Sequence, residues 1–362
     1  MRIAISAILG IRGGPARYAA ELIRALAALP GSHELLVVCD DASALNAAGR
    51  PVREVVEIPL RHPWEQGFWE ERAGAALRAK GVDVYHGTKG TLPVAVRIPR
   101  VVTVHDLAVF HQPESFAPLQ RIHQKVLVPL SVRLAHRVIA DSEHARQDLL
   151  RTLRTPHEKI AVVPLAASDV FHAEADSGDD EILRVFGVDR PYVLYAGTLQ
   201  PRKHVESLVE AFVSLDLAPV RLVLVGRRRP GYAPSFLQSP PPGVHYLGEV
   251  PDRALAALYR HALAFCSPSG YEGFGLSFLE ALACGCPVIA PRHSSIPEVV
   301  GEAALFLPAV DREAIAAALR RVCGDAALRE QLRRKGIERA RLFSWRRTAE
   351  QTLAVYREVV SG

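Results

Sequence analysis

The sequence from Ser269 to Ala290, SGYEGFGLSFLEALACGCPVIA, combines a strand end, a glycine loop and a helix in a short length of chain. Gly273 and Gly275 allow the backbone to pass close to a ligand, because glycine has no Cβ. The pattern predicts a helix from Gly275 to Cys284 that ends at the following glycine and proline. The N-terminus of such a helix has free N–H groups and the positive end of the helix dipole, so it suits a phosphate.

Two carboxylates in this stretch, Glu272 in the loop and Glu280 in the helix, are separated by seven residues and can face one ligand from different ends. Glu280 has apolar neighbours, so its carboxylate either faces solvent or serves a ligand. In nucleotide-binding folds an acidic residue accepts hydrogen bonds from ribose hydroxyls. Glu272 can bind a sugar hydroxyl or stabilise positive charge, and the two carboxylates also fit a hydrolase pair.

Length and composition indicate a soluble protein of two domains. The chain has 362 residues, of which 49% are hydrophobic and 23% charged, and no run approaches the roughly 18–20 apolar residues of a membrane span. The N-terminus enters a strand pattern at once and lacks the features of a signal peptide, so we predict a cytoplasmic protein. The five cysteines are scattered, which favours reduced, packed thiols over a zinc or redox site.

The net charge of +5 is compatible with nucleic acid, with an anionic membrane surface, or with a simple preference for Arg over Lys. Because the basic residues are spread along the chain with few aromatic residues between them, we predict no nucleic-acid partner. The segment Phe116–His136 mixes basic and apolar residues. It is predicted to be either a basic amphipathic helix on a lipid surface, at the inner face of the membrane, or an ordinary half-buried helix.

Outward from the opening stretch, apolar runs of strand length alternate with helical patterns along the whole chain. The predicted strands are Arg2–Leu9, Glu34–Cys39, Val52–Ile58, Asp83–His86, Arg100–His105, Arg137–Asp141, Lys159–Leu165, Tyr192–Ala196, Arg221–Gly226, Val244–Gly248, Ala264–Ser267, Pro287–Ala290 and Ala304–Leu307. The other predicted helices are Ala16–Leu29, Trp64–Lys80, Phe116–His136, Val205–Ser214, Arg253–His261, Ile296–Val300, most of Asp311–Leu342, and Ser344–Val360.

This alternation predicts an α/β fold with two Rossmann-like domains in tandem, whose parallel sheets face a central cleft. The first domain covers residues 1–168 and the second covers residues 190–343. The acidic residues 169–189 are predicted to be a solvated linker, and a metal site at Asp179-Asp180 is the alternative. Residues 344–362 are predicted to form a helix that begins at an N-capping Ser344 and packs back onto the first domain. Its predicted buried face consists of Trp345, Thr348, Leu353, Tyr356 and Val360.

A pair of cations, Arg202-Lys203, follows the predicted strand Tyr192–Ala196 and the loop that begins at Gly197. Cations just past the end of a strand are well placed for phosphates, since Arg holds phosphate oxygens bidentately and Lys acts as a point charge. Cations at a helix N-terminus oppose the helix dipole, and a bound anion would remove that cost. The alternative is a solvated helix start.

The first half contributes a glycine loop and a histidine at strand ends. Gly13-Gly14 lies between the first strand and the first helix, where a Rossmann-like sheet binds its ligand. The loop lacks the Gly-x-Gly-x-x-Gly pattern of a dinucleotide site, and a tight turn is the alternative. His105 ends a strand, and its titration near neutrality suits proton transfer or hydrogen bonding. A structural histidine is the alternative, and His86 is a weaker second candidate.

With these motifs in this order, the chain resembles a retaining nucleotide-sugar glycosyltransferase of the GT-B fold, in glycosyltransferase family four. The resemblance rests on the block from Glu272 through Glu280 to Ala290, on Gly197 followed by Arg202-Lys203, on the Gly13-Gly14 loop and on the strand end at His105. It covers nearly the whole chain. Within the family, the segments around His105 and Arg202 are most similar to mannosyltransferases and related enzymes of cell-surface polysaccharide assembly.

The resemblance implies a role for each of these residues. Glu280 would bind the donor ribose, Glu272 the hydroxyls of the transferred sugar, and Arg202 and Lys203 the diphosphate, while His105 would lie near the anomeric carbon. Many relatives carry Arg where this chain has Thr198, so Arg202 would supply the missing cation. The implied catalytic residues are His105, Arg202, Lys203 and Glu272. The implied donor-binding residues are Gly13, Gly14, Gly197, Thr198, Glu249, Val250, Gly273, Phe274, Gly275, Leu276 and Glu280.

The implied reaction moves a hexosyl unit from a nucleoside-diphosphate sugar, which is a substrate, so that no cofactor or metal is required. Retention at the anomeric carbon and closure of the cleft are part of that expectation. GDP-mannose is the first candidate donor and UDP-glucose the next, and the acceptor would be a glycan or a lipid-linked saccharide. Alternatives on the same fold are a nucleotide-sugar 2-epimerase, a sugar-phosphate synthase and a non-catalytic nucleotide-sugar-binding module.

Overall fold

A computed structural model of the chain describes residues 1–10, 13–46, 52, 54–60, 66–77 and 80–362. The chain forms two compact units: Met1–Leu165 together with Ser344–Gly362, and Ala166–Phe343. Each unit is built on one parallel β-sheet. The predicted α/β class with two parallel sheets is therefore confirmed. Three predicted segments lie partly outside the described residues: the first glycine loop at 11–12, the strand Val52–Ile58 at 53, and the helix Trp64–Lys80 at 64–65 and 78–79.

The first unit has a seven-stranded sheet in the order β3-β2-β1-β4-β5-β6-β7. The strands are β1 (Arg2–Ala7), β2 (Glu34–Cys39), β3 (Glu54–Glu57), β4 (Val84–Gly87), β5 (Arg100–Val104), β6 (Arg137–Ala140) and β7 (Ile160–Val162). The helices are α1 (Gly14–Ala28), α2 (Ser43–Asn46), α3 (Gln66–Ala76), α4 (Ala108–His111), α5 (Pro118–Leu134), α6 (Glu143–Leu153) and the last helix of the chain, α15 (Trp345–Ser361).

The second unit has a six-stranded sheet in the order β10-β9-β8-β11-β12-β13. The strands are β8 (Tyr192–Ala196), β9 (Arg221–Val225), β10 (Val244–Gly248), β11 (Ala264–Cys266), β12 (Val288–Pro291) and β13 (Ala304–Leu307). The helices are α7 (Asp179–Val185), α8 (Val205–Val213), α9 (Ser235–Gln238), α10 (Asp252–His261), α11 (Leu276–Ala283), α12 (Ile296–Val300), α13 (Arg312–Gly324) and α14 (Ala326–Ala340). A 3₁₀ turn at Pro201–Lys203 precedes α8.

The strand orders create one switch point in each sheet. The chain runs outward from β1 to β3 and then returns to β4 on the other side of β1, and it does the same from β8 to β10 and back to β11. In open α/β sheets, ligands bind outside the carboxyl ends of the strands at such a point. The central strands carry apolar residues on both faces, because helices cover both sides of a parallel sheet.

The last helix belongs to the first unit. Ser344 caps α15 by accepting a hydrogen bond from the Arg347 amide at 3.2 Å. The Thr348 hydroxyl donates to the Pro164 carbonyl at 2.7 Å. Four of the five residues predicted on its buried face are buried, but Val360 is 43% exposed. The prediction is wrong for Val360, which lies in the exposed last turn of the helix.

Part of residues 169–189 does not form the solvated linker that we expected. Residues Asp179–Val185 form the helix α7, and Asp179 is only 2% exposed. Arg260 donates to both Asp179 oxygens, with Nη2–Oδ1 at 2.5 Å and Nε–Oδ2 at 2.7 Å, and His261 Nε2 lies 3.2 Å from Oδ2. Because this carboxylate is occupied by Arg260 and His261, the structure does not support the metal alternative at Asp179-Asp180.

Two further observations concern the chain as a whole. The five cysteines are free thiols, four of them buried, in agreement with the predicted packed cysteines. Among the described residues, no helix combines the length and the apolar character that crossing a membrane requires.

Candidate active site

The second unit brings Lys203 and Glu272 into direct contact at its switch point. Lys203 follows β8 and Glu272 follows β11, and these strands are neighbours in the sheet. The Lys203 ammonium donates to Glu272 Oε1, and both side chains are about nine-tenths buried, at 11% exposure each. A buried ion pair at the carboxyl ends of two parallel strands is thus the centre of the candidate site.

Arg202 completes this charged group. Its Nη1 donates to the Tyr271 carbonyl and lies 4.0 Å from Glu272 Oε2, with the side chain 13% exposed. The Arg202 carbonyl accepts the Gly270 amide at 2.8 Å, so the two loops are joined by backbone as well as by charge. The alternative of a solvated helix start is therefore wrong for Arg202 and Lys203.

The serines that follow β12 fix the backbone of Glu272. The Glu272 amide donates to Ser294 Oγ at 2.9 Å, and its carbonyl accepts the Ser295 hydroxyl at 2.9 Å. Ser294 has a φ of +53°, a strained conformation for a residue with a side chain. The sequence interpretation missed both serines, although they follow a strand next to β11.

Burial alone would raise the pKa of Glu272, but the charges of Lys203 and Arg202 outweigh that effect and hold the pKa below its ordinary value. Glu272 is therefore an ionised carboxylate at neutral pH. The group Arg202, Lys203 and Glu272 carries two positive charges and one negative charge, so it retains one net positive charge that can attract an anion.

The helix α11 begins directly beside this group. Its N-cap, Gly275, has a φ of +99°, and a Cβ at this position would lie 3.1 Å from the Phe278 ring, so the turn requires glycine. The first amides of a helix have no partner inside the helix and can bind an anion. Glu280, on the second turn of α11, is 2% exposed, so of the two sequence interpretations the solvent-facing one is wrong.

The remaining predicted residues of the second unit lie at neighbouring strand ends. Gly197 and Thr198 follow β8, and the Gly197 amide donates to the Val225 carbonyl at 3.0 Å. Gly273 and Phe274 are buried in the loop before α11, whereas Leu276 is half-buried at its start. The structure places Glu249, which is exposed, and Val250, which is half-buried, at the end of β10, two strands away from β8.

In the first unit, both ring nitrogens of His105 are engaged. Nδ1 lies 2.7 Å from Asp141 Oδ2, and Nε2 lies 2.9 Å from the Thr88 carbonyl oxygen. The Tyr18 ring packs edge-on against the imidazole at 4.8 Å. Because a carbonyl oxygen only accepts, Nε2 carries a proton, and Asp141 favours a second proton on Nδ1. His105 is thus arranged as an imidazolium without a free nitrogen lone pair.

The pKa of His105 reflects opposing causes. Burial alone would lower it, but the charge of Asp141 and the hydrogen bonds to Asp141 and Thr88 raise it above its ordinary value. The sequence interpretation missed Asp141, yet a simple signal was present: Asp141 ends β6 just as His105 ends the adjacent β5. The other oxygen of Asp141, Oδ1, is buried and has no hydrogen-bond partner among the residues that the structure describes.

The structure assigns a structural role to His86. It is fully buried, with Nδ1 2.6 Å from the Tyr356 hydroxyl and Nε2 2.8 Å from the Thr103 hydroxyl. Burial lowers its pKa to about 3, so it is neutral. Gly13 and Gly14 are exposed at the start of α1, and residues 11 and 12 of the predicted loop are outside the described part of the chain.

Replacing Asp141 by asparagine is expected to lower the pKa of His105, because the charge that stabilises the imidazolium is removed. In the native chain the stabilising contribution of this pair is fully present below the unfolded pKa of about 6.5 and is lost as the pH rises through the raised folded pKa. NMR titration of the His105 ring measures the shift. Asp106→Asn, which removes a weaker charge effect, is the control, and an unchanged pKa in Asp141→Asn would contradict the assignment.

Each of the two units matches the sequence model of a glycosyltransferase family. The sequence model described as "Glycosyltransferase Family 4" matches residues 12–168, and the one described as "Glycosyl transferases group 1" matches residues 180–339. O-antigen chain mannosyltransferase B of Escherichia coli is 33% identical over 310 residues, covering 82% of this chain and 78% of that protein. The MMP alpha-(1->4)-mannosyltransferase of Mycolicibacterium hassiacum is 29% identical, and the match covers 82% of this chain and 77% of that protein.

Among solved structures, Anabaena HepE in complex with UDP-glucose has a TM-score of 0.78 and a sequence identity of 18%. The match covers 99% of this chain and 100% of that chain. This likeness concerns the fold. Together with the matches above, it shows that the chain is a glycosyltransferase of the GT-B fold and belongs to glycosyltransferase family four. The predicted fold and family are confirmed.

Proposed function

We propose that the chain transfers a hexosyl unit, with mannose as the first candidate, from a nucleoside-diphosphate sugar to a glycan or lipid-linked acceptor in cell-surface polysaccharide or glycolipid assembly. The observation that carries this proposal is the buried group of Arg202, Lys203 and Glu272 beside the N-terminus of α11. The mannosyltransferase relatives support mannose, and the UDP-glucose complex of HepE supports a nucleotide-sugar donor.

In the proposed reaction, the bond between the anomeric carbon and the diphosphate breaks, and negative charge grows on the leaving group. The acceptor hydroxyl oxygen forms the new bond to the anomeric carbon, and its proton passes to the departing diphosphate. Arg202, Lys203 and the first amides of α11 stabilise that charge, which is the type of interaction that accelerates a reaction most. Glu272 holds hydroxyls of the transferred sugar and keeps Lys203 in place, and Glu280 holds the ribose. We propose retention at the anomeric carbon and charge neutralisation by these cations without a metal ion.

His105 contributes as a fixed cation in this proposal. With Nδ1 directed at Asp141 and Nε2 at Thr88, the ring positions its own backbone at the end of β5 and places a positive charge there. It does not act as a base in this geometry, because neither nitrogen is free to accept a proton.

A donor screen tests the proposed function. The chain is incubated with GDP-mannose, UDP-glucose and other nucleotide sugars, with and without saccharide acceptors and with and without EDTA. We expect nucleoside diphosphate release that depends on an acceptor and is insensitive to EDTA, and NMR of the product should show the donor's anomeric configuration. Conversion of the donor without an acceptor would indicate an epimerase, and binding without any release would indicate a non-catalytic module.

The helix α5 supports a further part of the proposal, contact with an anionic membrane. Leu119, Ile122 and Val126 are 70%, 64% and 57% exposed and share one helix face with the exposed Arg133, while Lys125 flanks them. Leu130 and Leu134 are half-buried. Large apolar side chains bordered by basic residues are typical of interfacial helices. Arg137, which follows the segment, lies on β6 as predicted and pairs with Glu358 at 3.1 Å.

The triple change Leu119→Ser, Ile122→Ser and Val126→Ser is expected to weaken binding to phosphatidylglycerol vesicles at least tenfold in a flotation assay, because it removes the apolar contact. Val185→Ser, at a 69% exposed position on α7, is the matched control and should leave binding unchanged. Absence of vesicle binding by the native chain at low salt would refute the membrane proposal and leave the transferase proposal intact.

A further inference from the structure

A run of three arginines, Arg227, Arg228 and Arg229, follows β9 at the same edge of the sheet as Arg202. Arg227 and Arg228 are exposed, and Arg229 is half-buried. In the described part of the chain, no carboxylate lies within ion-pair distance of Arg227 or Arg228. Clustered charges of one sign repel each other, so this run is most stable when an anion lies beside it.

The backbone holds this run against the loop that leads to Arg202. A Cβ on Gly226 would lie 2.0 Å from the Gly197 carbonyl oxygen, so only glycine permits the approach. The Leu199 amide donates to the Arg227 carbonyl at 2.9 Å, and the Arg229 amide donates to the Leu199 carbonyl at 3.0 Å. Strand-like pairing therefore fixes the main chain of this run.

The alternation of an extended chain separates the three side chains. By this alternation Arg227 lies on the same side as Arg229. Arg229 Nη1 donates to Oε1 of Gln200, two residues before Arg202, at 2.9 Å, and burial followed by the charges of Arg202 and Arg227 lowers the pKa of Arg229. Arg228 lies on the other side, where its charge acts on Tyr246 of β10. Two of the three cations thus extend the charged group around Lys203.

The negative charge of the diphosphate exceeds the net positive charge of the group around Lys203. Arg202, Lys203 and Glu272 together supply one net positive charge, whereas the diphosphate carries about two negative charges in the donor and about three after the bond has broken. Resting on the proposed function, we propose that Arg227 and Arg229 form a second cationic subsite that binds the phosphates of the nucleoside diphosphate leaving group. Together with Arg202, Lys203 and Glu272, these two arginines give a group of five residues with three net positive charges.

Calorimetry with GDP, UDP, GMP and guanosine tests this subsite. Arg227→Ala is expected to weaken binding of the preferred nucleoside diphosphate about tenfold at low salt, to weaken GMP less and to leave guanosine unchanged. The difference should shrink at 1 M salt, since screening removes it. Arg227→Lys should retain most of the affinity, and Arg228→Ala, in the same run but on the other side, should bind like the native chain.

Each contrary outcome has a separate meaning. Native-like diphosphate binding by Arg227→Ala, or an equal loss in Arg228→Ala, would overturn the subsite. A parallel loss of guanosine affinity would also overturn it, because the arginine would then contact the base. If the native chain bound neither GDP nor UDP, the proposed function itself would fail, which is a different result from an unaffected variant.

Discussion

Replacing Lys203 by methionine is expected to lower the rate of sugar transfer at least tenfold, which is about 1.4 kcal/mol of lost transition-state stabilisation. The ammonium is the charge in direct contact with Glu272, and we propose that it neutralises the leaving diphosphate. Steady-state kinetics with the donor identified by the screen measure the effect. Lys335→Met, at a half-buried position on α14, is the matched control.

The same substitution separates catalysis from stability. Lys203→Met leaves a buried carboxylate that has lost its closest cation, so unfolding in urea should occur at a lower concentration. Adding Glu272→Gln removes the buried carboxylate charge and should recover stability, with a coupling free energy of about 0.5–3 kcal/mol between the two substitutions. It should not recover the rate of sugar transfer. Native-like turnover in Lys203→Met, or recovery of the rate in the double variant, would contradict the proposed role.

Replacing Asp179 by asparagine is expected to destabilise the second unit by about 3–5 kcal/mol, because it leaves Arg260 buried without its counter-charge. The two side chains are 3% and 4% exposed, so solvent does not replace the lost partner. Urea unfolding measures the change. The adjacent Asp180→Asn is the control: its pair with Arg190 is solvent-exposed, at 77% and 49%, and contributes at most about 1 kcal/mol.

The contribution of the Asp179–Arg260 pair to stability also depends on pH. Burial would raise the pKa of Asp179, but the hydrogen bonds and charge of Arg260 lower it below its ordinary value. Its stabilising contribution is therefore fully present above the unfolded pKa of about 3.9 and is lost as the pH falls through the lower folded pKa. Equal unfolding midpoints for Asp179→Asn and Asp180→Asn at neutral pH would refute the assignment.

Much of the fold could be predicted from the sequence because local patterns carry it. The strands at Glu34–Cys39, Val244–Gly248 and Ala304–Leu307 and the helix Ile296–Val300 have the predicted bounds. Parallel strands that are covered on both faces consist of continuous apolar residues, and such runs are a strong signal for a strand in a sequence. The short helix α9 and the 3₁₀ turn at Pro201–Lys203 were missed, because such segments are too short to show periodicity.

The candidate site was predictable to the extent that its residues stand at strand ends. That rule located Arg202, Lys203, Glu272 and His105, and applied more widely it would have found Asp141 as well. It would also have drawn attention to the arginine run after β9. Strand-end position shows where a residue lies along the chain, but not which neighbouring loop it contacts.

The sequence by itself determined the α/β class, the strand-end placement of the charged residues and the glycine turn before α11. Only the tertiary structure decided the pairings: Lys203 with Glu272, His105 with Asp141 and Arg260 with Asp179 are 69, 36 and 81 positions apart. The physical reason is that a charge is stable in the interior only beside a partner. Pairing at such separations is set by the order of strands and the packing of helices, which local patterns do not encode.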